Sequence, residues 1–267
     1  MQNPEIPPCQ IRICENRCKH SNRFVHSHSR ALPIAAMLLV LLLSVTGCQD
    51  NDPTFRIFEK PIIFNDEREQ LSLEYMKVRH GLNADRAVID PRMIVVHWTA
   101  VYSLEETFDI FNPVRLRGRT NLQDASALNV SAQFLVDRDG TIFRLLPDTT
   151  FARHTIGLNY MAIGIENIGG SQAPLTRAQL RANTELITWL AGKYDIDYVI
   201  GHHEYQDFQG SDVWKETDPD YLTHKVDPGP EFMKRLRKQL KPLEFKSVPD
   251  LRIGSRPDTS GSILAIQ

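Results

Sequence analysis

Two histidines stand directly after short β-branched runs: His97 follows Met93-Ile94-Val95-Val96, and His202 follows Tyr198-Val199-Ile200-Gly201. Strand ends on a rigid scaffold can aim side chains at one point, and histidine is the commonest zinc ligand. Either one alone reads first as a hydrogen-bonded structural residue. A third donor shifts that balance. Asp227 lies in His224-Lys225-Val226-Asp227-Pro228-Gly229-Pro230, where a Pro-Gly-Pro turn can fix a carboxylate in place. Two neutral imidazoles and one carboxylate leave net positive charge on a zinc ion and a fourth position for water, the arrangement of a hydrolytic rather than a structural site.

Such a site needs elements to hold it. Met93 to Val96 reads as a buried strand that delivers His97. Ala132 to Val136 and Thr141 to Leu145 flank Asp137-Arg138-Asp139-Gly140, whose Asp-Gly end is a hairpin signal. In Ala162 to Ile168 the isoleucines 163 and 165 alternate with Gly164 and Glu166, so Glu166 belongs to the face away from the isoleucines. Thr176 with Gln179 forms a capping box that opens a helix running to about Tyr194. Tyr198 to Ile200 is a further strand, and a short helix carrying Phe232, Met233, Leu236 and Leu240 follows Pro230. Strands and helices interleave around a hairpin. The fold class is therefore α/β, a single domain with a central mixed β-sheet flanked by helices.

The order of these motifs resembles a known family, the zinc-dependent N-acetylmuramoyl-L-alanine amidases of type 2, which include AmpD, AmiD, phage T7 lysozyme and the peptidoglycan recognition proteins. The resemblance spans about residues 90–235. It rests on Ile94-Val95-Val96-His97-Trp98-Thr99, Ser131-Ala132-Gln133-Phe134-Leu135-Val136 leading to Asp139-Gly140-Thr141-Ile142, Ala152-Arg153-His154, Ile163-Gly164-Ile165-Glu166-Asn167-Ile168-Gly169, Gly201-His202-His203-Glu204 and Lys225-Val226-Asp227-Pro228-Gly229-Pro230. It implies His97, His202 and Asp227 as ligands of one Zn2+, Glu166 as catalytic carboxylate and Lys225 as an aid to the transition state. It also implies His154 as a substrate-side histidine near the cleaved carbonyl. The chemistry agrees: an amide carbon is a poor electrophile, so its hydrolysis calls for an acidified water, a base and positive charge where the oxyanion forms. On residue type alone, Glu166 can also be an exposed strand residue, Lys225 a solvated lysine and His154 a surface histidine.

The chain departs from the family pattern in several places. Ala132 stands where the phage enzyme carries a tyrosine, which leaves the proton transfer to Glu166. Asp227 replaces the cysteine of many relatives, which suits an oxidising compartment. The gap of 25 residues from His202 to Asp227 marks 206–223 as an insertion at the site rim. His203 competes with His202 for the ligand position, and the motif favours His202. Between residues 102 and 129, Arg115, Arg117 and Arg119 form a candidate wall for stem-peptide carboxylates or, equally, a solvated loop.

Upstream of the domain lies an address. No residue from Ala31 to Gly47 is charged, and the centre, Ile34 to Leu43, is an apolar run of ten residues, about half of what spans a bilayer. Val45-Thr46-Gly47-Cys48 then resembles the lipobox of bacterial lipoproteins, and a cysteine bearing two acyl chains anchors stably where one chain does not. The competing reading is an uncleaved signal anchor. The expected organisation is a signal peptide over 1–47, a lipid-anchored tether over 48–66 that docks on the domain, the amidase domain over 67–245 and a loose tail over 246–267. Gln49 after the cysteine resembles an outer-membrane destination, with the domain facing the periplasm.

Composition bounds the rest. With 42% hydrophobic and 24% charged residues, the 267-residue chain can build a sizeable core and is neither collagen-like nor wholly disordered. A formal net charge of −2 gives no electrostatic basis for binding nucleic acid. Three of the four cysteines (Cys9, Cys14, Cys18) precede the apolar run, so a chain beginning at Cys48 has no cysteine left for a disulfide. The expected function is zinc-dependent cleavage of the bond between N-acetylmuramic acid and L-alanine in peptidoglycan or muropeptides, by a monomer held to the membrane through Cys48. Two alternatives stand beside it: a non-catalytic peptidoglycan-binding lipoprotein, and a zinc hydrolase of another amide.

Overall fold

The computed structural model describes residues 53–249 except 54, 119–121 and 123–124. The signal segment, Cys48 and residues 250–267 of the tail lie outside the described residues. Six strands form one sheet: β1 (Ile57–Glu59), β2 (Met93–Trp98), β3 (Phe134–Val136), β4 (Ile142–Arg144), β5 (Ala162–Asn167) and β6 (Tyr198–Gly201), in the order β1-β4-β3-β5-β2-β6. Every neighbouring pair is parallel except the β3–β4 hairpin. The sheet is thus mixed, with β3 and β5 in the middle and β2 next to β5, and the nearly continuous burial along β2 and β5 suits strands covered on both faces.

Alternation along these strands sorts the side chains. Ile94 and Val96, Ile163 and Ile165, and Phe134 and Val136 share a core with α3 (Arg177–Lys193) and α4 (Pro230–Leu240). Met93, Val95, Ala162 and Ile200 belong to a second core with Tyr205 and Phe208 of the 3-10 turn His202–Phe208. Two residues further along the strand on that second face stand His97, Gly164 followed by Glu166, and His202. The Thr176–Gln179 capping box opens α3 as its residues require. At the hairpin Gly140 adopts φ +93° and its N–H closes a turn on the Asp137 carbonyl at 2.9 Å.

Three elements have no counterpart in the sequence reading. Helix α1 (Asp66–His80) is capped by Asn65, whose side chain accepts from the Arg68 N–H, and ends at Gly81 in the left-handed region. Helix α2 (Leu104–Phe111), capped by Ser103, occupies part of the connection read as a long loop over 102–129. Strand β1 lies within the segment read as a tether and pairs in parallel with β4. Beyond α4, the Lys246 ammonium reaches Asp197 at 2.8 Å, so the tail begins against the domain. Among the described residues no helix is long and apolar enough to cross a membrane.

Candidate functional site

The ends of the parallel strands bring the donors together. In the β2–β5 register His97 faces Glu166 directly, and Val96 pairs with Gly201, the residue before His202. His202 opens the 3-10 turn, and Gly201 is fixed there because a Cβ would stand 2.7 Å from the His203 ring and 2.9 Å from Met233. Glu204 caps the turn by accepting from the Gly201 N–H at 2.7 Å, and Arg237 of α4 pairs with that carboxylate. His203 turns away from the cluster. Its backbone N–H and ring Nδ1 both donate to the Asp227 carbonyl, at 2.9 and 3.0 Å, so the second histidine holds the loop that carries the third donor.

His97, His202 and Asp227 are all buried, and one donor atom from each falls within 4.8 Å of the others. The two Nδ1 atoms lie 2.9 Å apart, and Asp227 Oδ2 lies 3.3 Å from His97 Nδ1 and 3.2 Å from His202 Nδ1. These edges approach the roughly 3.3 Å edge of a tetrahedron with bonds of about 2.0–2.1 Å to zinc. The N, N, O donor set suits that ion.

Hydrogen-bond chemistry shows which way the lone pairs point. The Ala162 carbonyl can only accept, so His154 Nε2, 3.2 Å away, carries a proton and donates to it. The neutral His154 ring then presents Nδ1 as an acceptor, 3.1 Å from His97 Nε2 and 2.9 Å from the Thr155 hydroxyl. His97 therefore donates from Nε2 and turns an unprotonated Nδ1 toward the donor triangle. Burial first, then the neighbouring His202, lowers the His97 pKa to about 4, which keeps the ring neutral near pH 7. Burial also lowers His202. For Asp227 burial acts to raise the pKa, but the facing imidazoles outweigh it and hold the carboxyl well below the usual carboxylate range. A bare His97 Nδ1, the Nδ1 of His202 and one carboxylate charge meeting at one point fit a divalent cation.

The slot that orients His154 is built from small residues. A Cβ at Gly164 would stand 3.0 Å from the His154 ring and 3.1 Å from Ala132 Cβ. The Gly164 N–H donates to Gln133 Oε1 at 2.7 Å, and the His154 N–H donates to Asn159 Oδ1 at 2.8 Å. Both nitrogens of His154, read from sequence as a substrate-side histidine, are thus bonded within the protein.

A cavity of about 210 Å³ opens beside the donors, lined by His97, Glu166, His202, Lys225 and Asp227 and by Trp98, Asn159, Tyr221 and Thr223. Lys225 is half-buried, and its charge lowers the pKa of both His97 and His202, which places a cation next to the cluster. Of the three arginines in the 102–129 connection, Arg115 pairs with Glu67 on α1 at 2.6 Å, Arg117 is exposed and Arg119 lies outside the described residues. That connection gives the cavity Phe111 and Leu122 instead. The sequence reading quoted Arg153 only as a motif neighbour and passed over Tyr75, Tyr221 and Thr223, all of which line the cavity.

The sheet and this cluster define an α/β protein with a three-donor candidate metal site at the ends of its parallel strands. Residues 87–230 match the family described as N-acetylmuramoyl-L-alanine amidase, and the chain belongs to that family of peptidoglycan-amide hydrolases. It is similar to the endolysin amidase LysCS from Clostridium intestinale URNW, at 18% identity and TM-score 0.43 over 70% of this chain and 95% of the other. It is also similar to a selenomethionine derivative of AmpD, at 22% identity and TM-score 0.41 over 57% and 89% of the two chains. No curated protein matches the chain.

Proposed function

We propose that this enzyme hydrolyses the amide between the lactyl group of N-acetylmuramic acid and L-alanine, in peptidoglycan or its fragments, with one zinc ion held by His97, His202 and Asp227. The observation that carries the reading is the convergence of these three donor atoms beside a cavity that also holds Glu166 and Lys225. Zinc, when bound, supplies Lewis-acid charge and lowers the pKa of a water.

The chain's own groups do the rest. Glu166, brought level with His97 by the strand register, takes the proton of the attacking water and returns it to the departing L-alanine nitrogen. The Lys225 ammonium offsets the negative charge that builds on the former carbonyl oxygen. His154 orients His97, and His203 fixes the main chain of Asp227. The test is to incubate the protein with muropeptides in the presence of zinc and of a chelator. Release of stem peptide with zinc alone is the expected result, and no release with zinc sinks the reading.

The resemblance of Val45 to Cys48 to a lipobox, with Gln49 after it, supports placing the mature protein, beginning at Cys48, as an outer-membrane lipoprotein whose domain faces the periplasm. Incorporation of labelled palmitate into the wild type but not into Cys48→Ser is the matching measurement; equal labelling removes the assignment.

A further inference from the structure

The chain from residue 209 to Gly229, which contains most of the insertion and carries the third donor, is a long stretch without helix or strand, yet it is fastened along its length. Part of the fastening is to the end of α1, which lies outside the family match over 87–230. His80 Nδ1 donates to the Lys215 carbonyl at 3.3 Å, the Thr217 N–H to the Arg79 carbonyl at 3.0 Å and the Thr217 hydroxyl to the Val78 carbonyl at 2.7 Å. The Arg79 guanidinium pairs with Glu216 at 2.8 Å, and these side chains are 9% and 1% exposed. On the other side the Trp214 ring covers Gly157, where a Cβ would stand 2.7 Å from it, and the Lys215 N–H donates to the Gly157 carbonyl at 3.1 Å. Mobile lids have few buried contacts. This segment has many, so it is a fixed wall.

Tyr221 is the part of that wall that reaches the cavity. Its ring lies under the Arg79 guanidinium at 4.2 Å, and its hydroxyl accepts from Arg153 Nη2 at 3.0 Å. Arg153 in turn donates to the carbonyls of Leu122, Ser126 and Leu128, so one tyrosine ties α1, the insertion and the opposite loop together. The donor cluster is secured separately. The Tyr205 hydroxyl brackets Thr223, accepting from its N–H at 2.8 Å and donating to its carbonyl at 2.7 Å, and His203 holds Asp227. A disturbance at Arg79 thus reaches Tyr221 and stops short of Asp227.

We propose that Tyr221 is a specificity-determining wall of the substrate cavity and that Arg79 is the residue that positions it, so that Arg79 governs how tightly a muropeptide is held without itself lining the cavity. The inference rests on the amidase reading for the identity of the ligand. Its test compares wild type, Tyr221→Ala, Tyr221→Phe and the double variant Arg79→Met/Glu216→Gln, which removes both buried charges together and so avoids stranding one. Muropeptide affinity, KM, kcat and bound zinc are measured for each, with limited proteolysis within 209–223.

Tyr221→Ala and the double variant are expected to weaken muropeptide binding and raise KM by about tenfold, with kcat within about twofold and full zinc content. Tyr221→Phe, which loses only the hydroxyl contact to Arg153, is expected to lose about threefold. Faster proteolytic cutting within 209–223 is expected in the double variant alone. Unchanged affinity in Tyr221→Ala, or loss of zinc in the double variant, overturns the inference. A wild type that binds muropeptide but releases no stem peptide overturns the amidase reading and leaves the wall in place; one that does neither overturns both.

Discussion

Replacing His154 tests the hydrogen-bond relay that turns His97 Nδ1 toward the candidate metal site. In the structure His97 Nε2 and His154 Nδ1 are 3.1 Å apart, and His154 is oriented by the Ala162 carbonyl. His154→Ala takes away the acceptor, so nothing prevents His97 from carrying its proton on the nitrogen that zinc requires bare. Loss of such an outer partner costs about 10- to 100-fold in metal affinity, or about 1.4–2.7 kcal/mol. His154→Asn keeps an acceptor, since its Oδ1 can fall near the position of the imidazole Nδ1, and is expected to stay within about fivefold of wild type. Competition with a chromogenic chelator measures the affinities. Long-range nitrogen–proton NMR on the metal-free protein reads the His97 tautomer, expected to be the Nε2–H form in wild type and mixed in the alanine variant. The reasoning fails if His154→Ala binds zinc like wild type and only KM rises, because that pattern belongs to a histidine that contacts substrate.

Three further outcomes follow from the same geometry. Glu166→Gln keeps the shape of the carboxylate but cannot take a proton, and is expected to lower kcat by roughly 10²- to 10⁴-fold while zinc content stays full, as measured by turnover and metal analysis. His202→Ala is expected to abolish tight zinc binding, whereas His203→Ala, which frees only the Asp227 carbonyl, weakens it partially; equal losses in calorimetric titration would remove the distinction between the two histidines. His80 is buried among Tyr75, Phe151 and Tyr160, and burial lowers its pKa from 6.5 to about 4. The fold favours its neutral form, so the stability it contributes is complete above about pH 6.5 and is lost as pH falls toward 4, up to about 3 kcal/mol. Urea unfolding at pH 7 and pH 4.5 is expected to show a smaller acid loss in His80→Phe than in wild type.

The sheet and its donors were legible because their signals are local. Val95 and Val96 before His97, Ile163 and Ile165 around Gly164, and the Asp-Gly turn each announce a strand or its end, and the chemistry sits at those ends. Helix α1 was not legible for a physical reason. Its buried face includes Arg68, Arg79 and His80 as well as Leu71, Tyr75 and Met76, so a pattern that sorts residues by polarity sees no stripe. Its Asn65 cap, acidic first turn and terminal Gly81 were the signals present in the sequence. Tyr221 and Thr223 lie in a stretch with no periodicity, where only tertiary contacts decide which side chain meets the cavity. The direction of the His154 ring is of the same kind: it depends on the carbonyl of Ala162, which no property of residue 154 encodes.

The donor triangle is braced by main-chain contacts that do not use the donor atoms: two bonds to the Asp227 carbonyl, a capped Gly201 and a strand register that fixes His97. Loading is then an event of the finished fold. A chelator should strip the site and leave a cooperative, native-like protein that regains its metal on simple addition, unlike small zinc domains that unfold when emptied. The same stiffness discriminates among cations, because calcium seeks six to eight oxygens at about 2.3–2.6 Å and finds here a tight pocket of two nitrogens and one carboxylate.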